Sequence, residues 1–190
     1  MSAPRALLMC AASVPPPLST TVYSLVTGGK SSELGRVGGY NMNIMTYVTP
    51  VAHAPERWFA VSLFHGTASH GRFLAESGGV LQILASSHAQ LVSLLGQQSM
   101  RDVDKLAALE AGGHTLRYVR GWPVLADAVG CFEPEVARSG YVQTCGDHDV
   151  ALCKVPWYEP LDGAGGGALT SGELRDLGIL PPASPAARPG

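Results

Sequence analysis

Charge is the scarcest commodity in this sequence. Only 15% of its 190 residues are Asp, Glu, Lys or Arg, against about a quarter in an average soluble domain. The formal net charge is −2 and no stretch gathers Lys or Arg into a block, which excludes the basic footprint of a nucleic-acid partner. Long hydrophobic runs are missing as well. The apolar segment at 6–14 is too short to cross a bilayer, and with only Arg5 before it and three prolines after it, it lacks the layout of a secretory signal. No membrane partner is expected. The four cysteines (Cys10, Cys131, Cys145, Cys153) include no CxxC pair, which leaves neither a redox dithiol nor a zinc ribbon, and a disulfide framework does not suit a chain of this length. Reduced thiols and a cytoplasmic location are therefore expected. The Ala/Ser/Pro-rich segment 1–19, which contains no acid, reads as a disordered tail; the alternative is a targeting segment leading to an organelle matrix or plastid.

What is present is apolar: 46% of the residues are hydrophobic. The length is that of one domain with a substantial core, and so little charge points to surface covered by a second copy of the chain. Strands are expected at 21–26, 41–48, 58–64, 79–84, 115–119, 124–132, 141–144 and 150–157, from β-branched and aromatic runs punctuated by Gly and Pro. Short helices are expected at 69–77 and 103–111. Ser87 and Gln90 stand in the spacing of a capping box, ahead of Leu91, Leu94 and Leu95 on one helical face, with Gly96 as the stop. Thr170 and Glu173 form a second capping box, stapled by Leu169 and Leu174, and Gly178 closes that helix. The segment 181–190 reads as a disordered tail. Many short strands with few helices give a mainly β barrel or sandwich rather than βαβ units, with one domain over 20–180.

Three motifs carry little. The run at 163–168 satisfies G-x-G-x-x-A, but prolines precede it and the chain soon ends, so a loop is the better reading. Cys145, His148 and Cys153, with His65 and His70 elsewhere, are metal-competent, yet the spacing is loose and offers no clear fourth ligand; no metal is expected. There is no G-x-S-x-G elbow. Two stretches suit a phosphate better. His65-Gly66-Thr67-Ala68-Ser69-His70 and Ala85-Ser86-Ser87 each lead into an expected helix, placing hydroxyls and free backbone N–H groups at its positive end. Ordinary capping by Ser69 and Ser87 is the competing explanation.

The segment Asn41-Met42-Asn43-Ile44-Met45-Thr46-Tyr47-Val48-Thr49-Pro50 resembles the flavin-contacting strand and loop of the flavin reductase-like, FMN-binding split-barrel family. The later segments come in a similar order too: an apolar strand at 58–64, a Gly-Thr-x-Ser turn into a helix, a strand ending at Ser87 and Gln90, a loop to Lys105, and Gly146-Asp147-His148 before a last strand. The resemblance spans about 20–157 and implies a split β-barrel with short flanking helices that binds FMN as a homodimer. It would place Asn43, Met45, Thr46, Tyr47 and Val48 along the flavin ring. Thr67, Ser69, Ser86, Ser87 and Gln90 would lie towards the ribityl chain and phosphate, Lys105 would supply a cation there, and His148 would sit near the ring face, in a catalytic position, or at the subunit boundary. The implied activity is hydride transfer from NAD(P)H to flavin. Pro50 stiffens the loop after the flavin strand and has no N–H to offer, so flavin binding is better supported than nicotinamide oxidation. A non-catalytic FMN-binding or storage module, and a split barrel holding haem through His148 or His70, are the alternatives.

Overall fold

The computed structural model describes residues 18–28, 39–137, 139–163 and 167–181. The tail segments 1–17 and 182–190, Gly29 and the middle of the Gly-rich run lie outside them.

Two antiparallel sheets share one interior. The first has the order β12-β8-β5-β1-β2, from β1 (Tyr23–Gly28), β2 (Tyr40–Met45), β5 (Val80–Ile83), β8 (Gly130–Phe132) and β12 (Tyr158–Pro160). The second has the order β10-β11-β4-β3, from β3 (Val48–Ala52), β4 (Trp58–Phe64), β10 (Val142–Cys145) and β11 (His148–Lys154), with β9 (Glu135–Val136) also paired to β11. A separate hairpin, β6 (Leu116–Val119) and β7 (Trp122–Leu125), packs on the first sheet. The helices are α1 (Ala68–Glu76), α2 (Lys105–Ala111) and α3 (Ser171–Asp176). This is the expected mainly β split barrel with short helices.

Alternation along the strands explains the layering. Tyr23 and Leu25 of β1, Leu81 of β5 and Phe132 of β8 face Val61 and Leu63 of β4 and Ala151 and Cys153 of β11, and these fill the barrel interior. The intervening residues Val22, Val26, Val80, Leu84 and Cys131 turn the other way, into a second core with Leu95, Leu109, Val124, Leu125, Leu169 and Leu174. The first sheet is therefore covered on both faces, and every residue of β1 is buried. Buried Gln82 fastens the hairpin to it: its Oε1 accepts from the Leu125 N–H at 2.8 Å. Among the described residues the outer face of the second sheet lacks such a cover, and Phe64, Val51 and the nearby Tyr47 are each more than half exposed.

Several expected elements change. The strand expected at 41–48 divides: β2 ends at Met45 in the first sheet, the chain bends at 46–47, and β3 starts at Val48 in the second. Pro50 does not end that strand but lies inside β3. It is tolerated because β3 is an edge strand whose register shifts between Pro50 and Ala52. The strand expected at 124–132 likewise splits into β7 and β8. β12 is an addition to the expected strands, masked in the sequence by Pro156 and Pro160. The Ser87–Gln90 capping box does not form: Ser86–His88 is a 3-10 turn capped at Ala85 with no side-chain hydrogen bond, and the helical stretch after it ends in a π turn, Ser93–Gln97. The reason is His88. Its buried ring accepts the Ala85 N–H on Nδ1 at 3.1 Å and holds Nε2 2.9 Å from Asp127. The cap of α1 is Thr67 rather than Ser69. The C-terminal box behaves as expected at its cap, with Thr170 accepting from the Glu173 N–H at 3.1 Å and Leu169 and Leu174 buried together.

Candidate functional site

At the open corner where β2 leaves the first sheet, two clefts share Asn43, Thr67 and Ser69 and so form one trough. The polar end has a volume of about 280 Å³ and is bounded by Asn41, the turn at 66–69, the loop at 96–101 and Lys105. The other end, about 160 Å³, is walled by Leu25, Ile44, Met45, Tyr47, Phe64 and His148, among others.

The polar end is built by the start of α1. Gly66 adopts φ +76°, a left-handed conformation that turns the chain from β4 into the helix. Thr67 then locks the turn: its hydroxyl donates to the Phe64 carbonyl at 2.9 Å and accepts from the His70 N–H at 3.2 Å. The Ala68 and Ser69 N–H groups belong to the first helical turn and have no intrahelical acceptor. Ser69 is buried and its Oγ accepts from Asn41 Nδ2 at 2.8 Å; Asn41 Oδ1 is buried with no partner among the described residues. On the opposite wall, Lys105 is 4% exposed and its Nζ donates to the Leu95 carbonyl at 2.7 Å. Burial lowers its pKa from 10.5 to about 8. Arg101 lines the same end and is exposed.

At the apolar end, His148 occupies the first position of β11, paired with Phe64 of β4 and Cys145 of β10. Its ring meets those of Tyr47 and Phe64 edge-on, at centroid distances of 5.6 and 5.2 Å. Nδ1 lies 2.6 Å from Asp147 Oδ1, and this hydrogen bond holds the Asp147 carboxyl below its usual range. The contact fixes the ring plane and, in the neutral imidazole, leaves Nε2 as the acceptor.

The structure thus brings together eight of the residues singled out in the sequence: Asn43, Met45, Thr46, Tyr47, Thr67, Ser69, Lys105 and His148. It leaves four outside. Val48 turns into the barrel core, 7% exposed. Ser86 Oγ bonds Glu173 at 3.1 Å, so its nearest charged neighbour is an anion. Ser87 and Gln90 are exposed and line neither part of the trough. The second hydroxyl-rich turn therefore does not share the first one's cleft. Asn41 and Arg101 join the site without having been singled out by sequence. Asn41 lies inside the segment that carries the flavin-strand resemblance, but only the fold shows its carboxamide buried beside Ser69; Arg101 carries no local signal.

The cysteines of the loose metal motif do not assemble. Cys153 is buried in the barrel core and Cys145 is exposed at the β10–β11 turn. Burial pushes the thiols of Cys131 and Cys153 up, to about 11 and about 12, as befits small apolar core residues. No helix among the described residues is long and apolar enough to cross a membrane.

An antiparallel split barrel with a trough at its open corner, polar and cation-bearing at one end and aromatic at the other, defines the class. The chain belongs to the flavin reductase-like domain family, whose model matches residues 18–176. Among solved structures it is similar to the Streptomyces globisporus NADH:FAD oxidoreductase in complex with NAD and FAD fragments, with 16% identity, 92% of this chain and 93% of that one covered, and a TM-score of 0.68. It is also similar to the styrene monooxygenase flavin reductase of Pseudomonas putida (18% identity, 84% and 90% covered, TM-score 0.63). The FMN-binding protein of Thermus thermophilus with bound 1-cyclohex-2-enone matches at 24% identity over 76% and 72%, with a TM-score of 0.58. No curated protein sequence matches the chain.

Proposed function

We propose that this chain is an NAD(P)H-dependent flavin oxidoreductase that holds FMN in the trough, phosphate and ribityl chain at the polar end and ring at the aromatic end. The observation that carries the reading is the buried, partnerless Asn41 Oδ1 in a cleft that also offers free helix N–H groups and two cations. A buried acceptor without a donor costs about 1–3 kcal/mol, and a ribityl hydroxyl is a donor of the right kind. The N–H groups at the start of α1, Lys105 and Arg101 suit a single terminal phosphate, whose charge the helix dipole also favours.

Bound flavin supplies the two-electron acceptor chemistry. The chain's part is to bind and orient. Ile44, Met45 and Leu63 offer apolar surface to a planar ring, while Asn43, Thr46 and Tyr47 line the same wall. His148, held in plane by Asp147, lies at the open side, where a nicotinamide must stack to bring the reacting atoms to about 3–3.5 Å. Hydride transfer itself moves no proton, so the reaction does not require a paired acid and base.

The family resemblance and the exposed outer face of the second sheet support a homodimer. Beside that face is a further cleft of about 600 Å³, lined by Tyr47, Thr49 and Ala60 from the sheet side and by Arg175 and Leu180 from the α3 side. A partner copy seated there would close the trough from outside. The test of the function is an absorbance spectrum of the purified protein before and after anaerobic NADH or NADPH. Flavin bands that bleach support the reductase. Flavin bands that persist for many minutes with both nucleotides make the chain a flavin-binding module.

A further inference from the structure

Outside the trough, three side chains converge without a role in flavin binding. His65 leaves the end of β4, His70 stands in the first turn of α1, and Asp149 is the second residue of β11, with its side chain on the opposite face of the strand from that of His148. His65 Nε2 lies 3.0 Å from Asp149 Oδ1, and His70 Nε2 lies 2.8 Å from Oδ2. The potential ligand atoms of the three all fall within 4.8 Å of one another, the only such group of His, Cys, Asp and Glu among the described residues. We propose that His65, His70 and Asp149 form a binding site for one divalent transition-metal ion of the zinc and ferrous class.

The donor set suits that class. Two imidazole nitrogens and one carboxylate oxygen bind borderline ions rather than magnesium or calcium, which take oxygen. A tetrahedral ion with bonds of about 2.0–2.1 Å spaces its donors by roughly 3.4 Å, which falls between the 2.8 and 3.0 Å nitrogen–oxygen distances and the 4.8 Å that bounds the whole cluster. Three protein ligands leave at least one position for water. All three side chains are partly buried, at 37%, 19% and 14% exposure in chain order, which gives an ion a route in and yet partial exclusion of solvent.

The backbone around the cluster is fixed before any ion arrives. The His65 N–H donates to the Asp147 carbonyl at 3.0 Å, extending the β4–β11 ladder to the ligand itself. Gly66 and the Thr67 cap then set the turn that returns His70 towards His65, with ring centroids 5.3 Å apart. Thr144 on β10 donates its hydroxyl to Asp149 Oδ1 at 2.7 Å; such an outer partner orients a ligating carboxylate. Sequence spacing hides the group, because Asp149 is far from the histidines along the chain and its neighbours Cys145, His148 and Cys153 make the more conspicuous pattern. The proposal does not depend on the flavin reading.

The test uses the full chain, stripped with a chelator and titrated with Zn²⁺ by calorimetry. One ion per chain is expected, with a dissociation constant of about 1 µM or tighter. His70→Ala and Asp149→Asn should each weaken it by about 100-fold, since loss of an outer partner alone costs about 10–100-fold. His53→Ala, at an exposed histidine outside the cluster, should leave it unchanged. A second measurement needs no variant: Co²⁺ added to the unmutated protein should broaden backbone amide signals centred on His65, His70 and Asp149. Absence of saturable Zn²⁺ binding, binding undiminished in both variants, or broadening centred on Cys145 would each overturn the proposal.

Discussion

Replacing Lys105 by Met separates what this residue costs the fold from what it gives a ligand. The ammonium is buried at the wall of the trough and donates a hydrogen bond to the Leu95 carbonyl. Its pKa falls from 10.5 to about 8 through desolvation, a drop equivalent to roughly 3 kcal/mol disfavouring the charged form. Water in the adjoining cleft screens part of this, so about 1–2 kcal/mol is the realistic cost at neutral pH. The folded state binds the proton less tightly than the unfolded chain. The cost is therefore absent above pH 10.5, grows as pH falls towards about 8, and is constant below that. Lys105→Met, close in volume, should be more stable than the unmutated protein by about 1–2 kcal/mol at pH 7, and the gain should vanish above pH 10.5. Urea denaturation of the flavin-free proteins across that range measures it. FMN affinity should fall about tenfold, or 1.4 kcal/mol, while riboflavin, which has no phosphate, should bind as before. A variant less stable at pH 7 would mean that the Leu95 hydrogen bond outweighs desolvation. Equal loss of FMN and riboflavin would remove Lys105 from the phosphate.

Thr67→Ala should cost about 1 kcal/mol of stability through loss of the α1 cap, read as a lower urea midpoint with unchanged slope; a change within a few tenths would show that the Gly66 turn holds without it. His148→Ala should keep FMN but slow its anaerobic reduction by NADH or NADPH in stopped-flow absorbance, and an unchanged rate would take His148 out of the reaction. Sedimentation should show a homodimer at micromolar concentration. Val51→Lys, on the exposed edge strand β3 and outside the trough, should shift it towards monomer; a monomeric unmutated protein with FMN fully bound would refute the dimer.

Strands whose fate is decided by their own residues are legible in the sequence. The run at 58–64 is β4 to the residue, because it alternates between a barrel core and an outer face and so carries its own period. The two expected strands that divide, at 41–48 and 124–132, are long continuous runs. Residues 41–48 change sheets at 46–47, and nothing local marks the bend, which exists because β2 must pair β1 while β3 must pair β4. Pro50 looks like a terminator because an edge position cannot be known before the sheet order is.

The two hydroxyl-rich turns show how far local chemistry carries. Both offer small hydroxyls ahead of a helical run, and by sequence each is as good a phosphate site as the other. At 65–70 the left-handed glycine and the Thr67 cap produce a true α-helix start of nine residues, with Ala68 and Ser69 N–H groups left over at the cleft. At 85–90 the same kind of sequence is captured from outside. Ala85 bridges to Ala168, Ser86 is bonded by Gly167 and Glu173, and His88 takes the Ala85 N–H. Each of these partners except His88 lies about eighty residues away, so the Ser86 N–H and hydroxyl are engaged by the C-terminal segment and the Ala85 N–H by His88. A capping pattern states what a turn does when left alone; whether it offers donors to a ligand depends on which distant strand reaches it first.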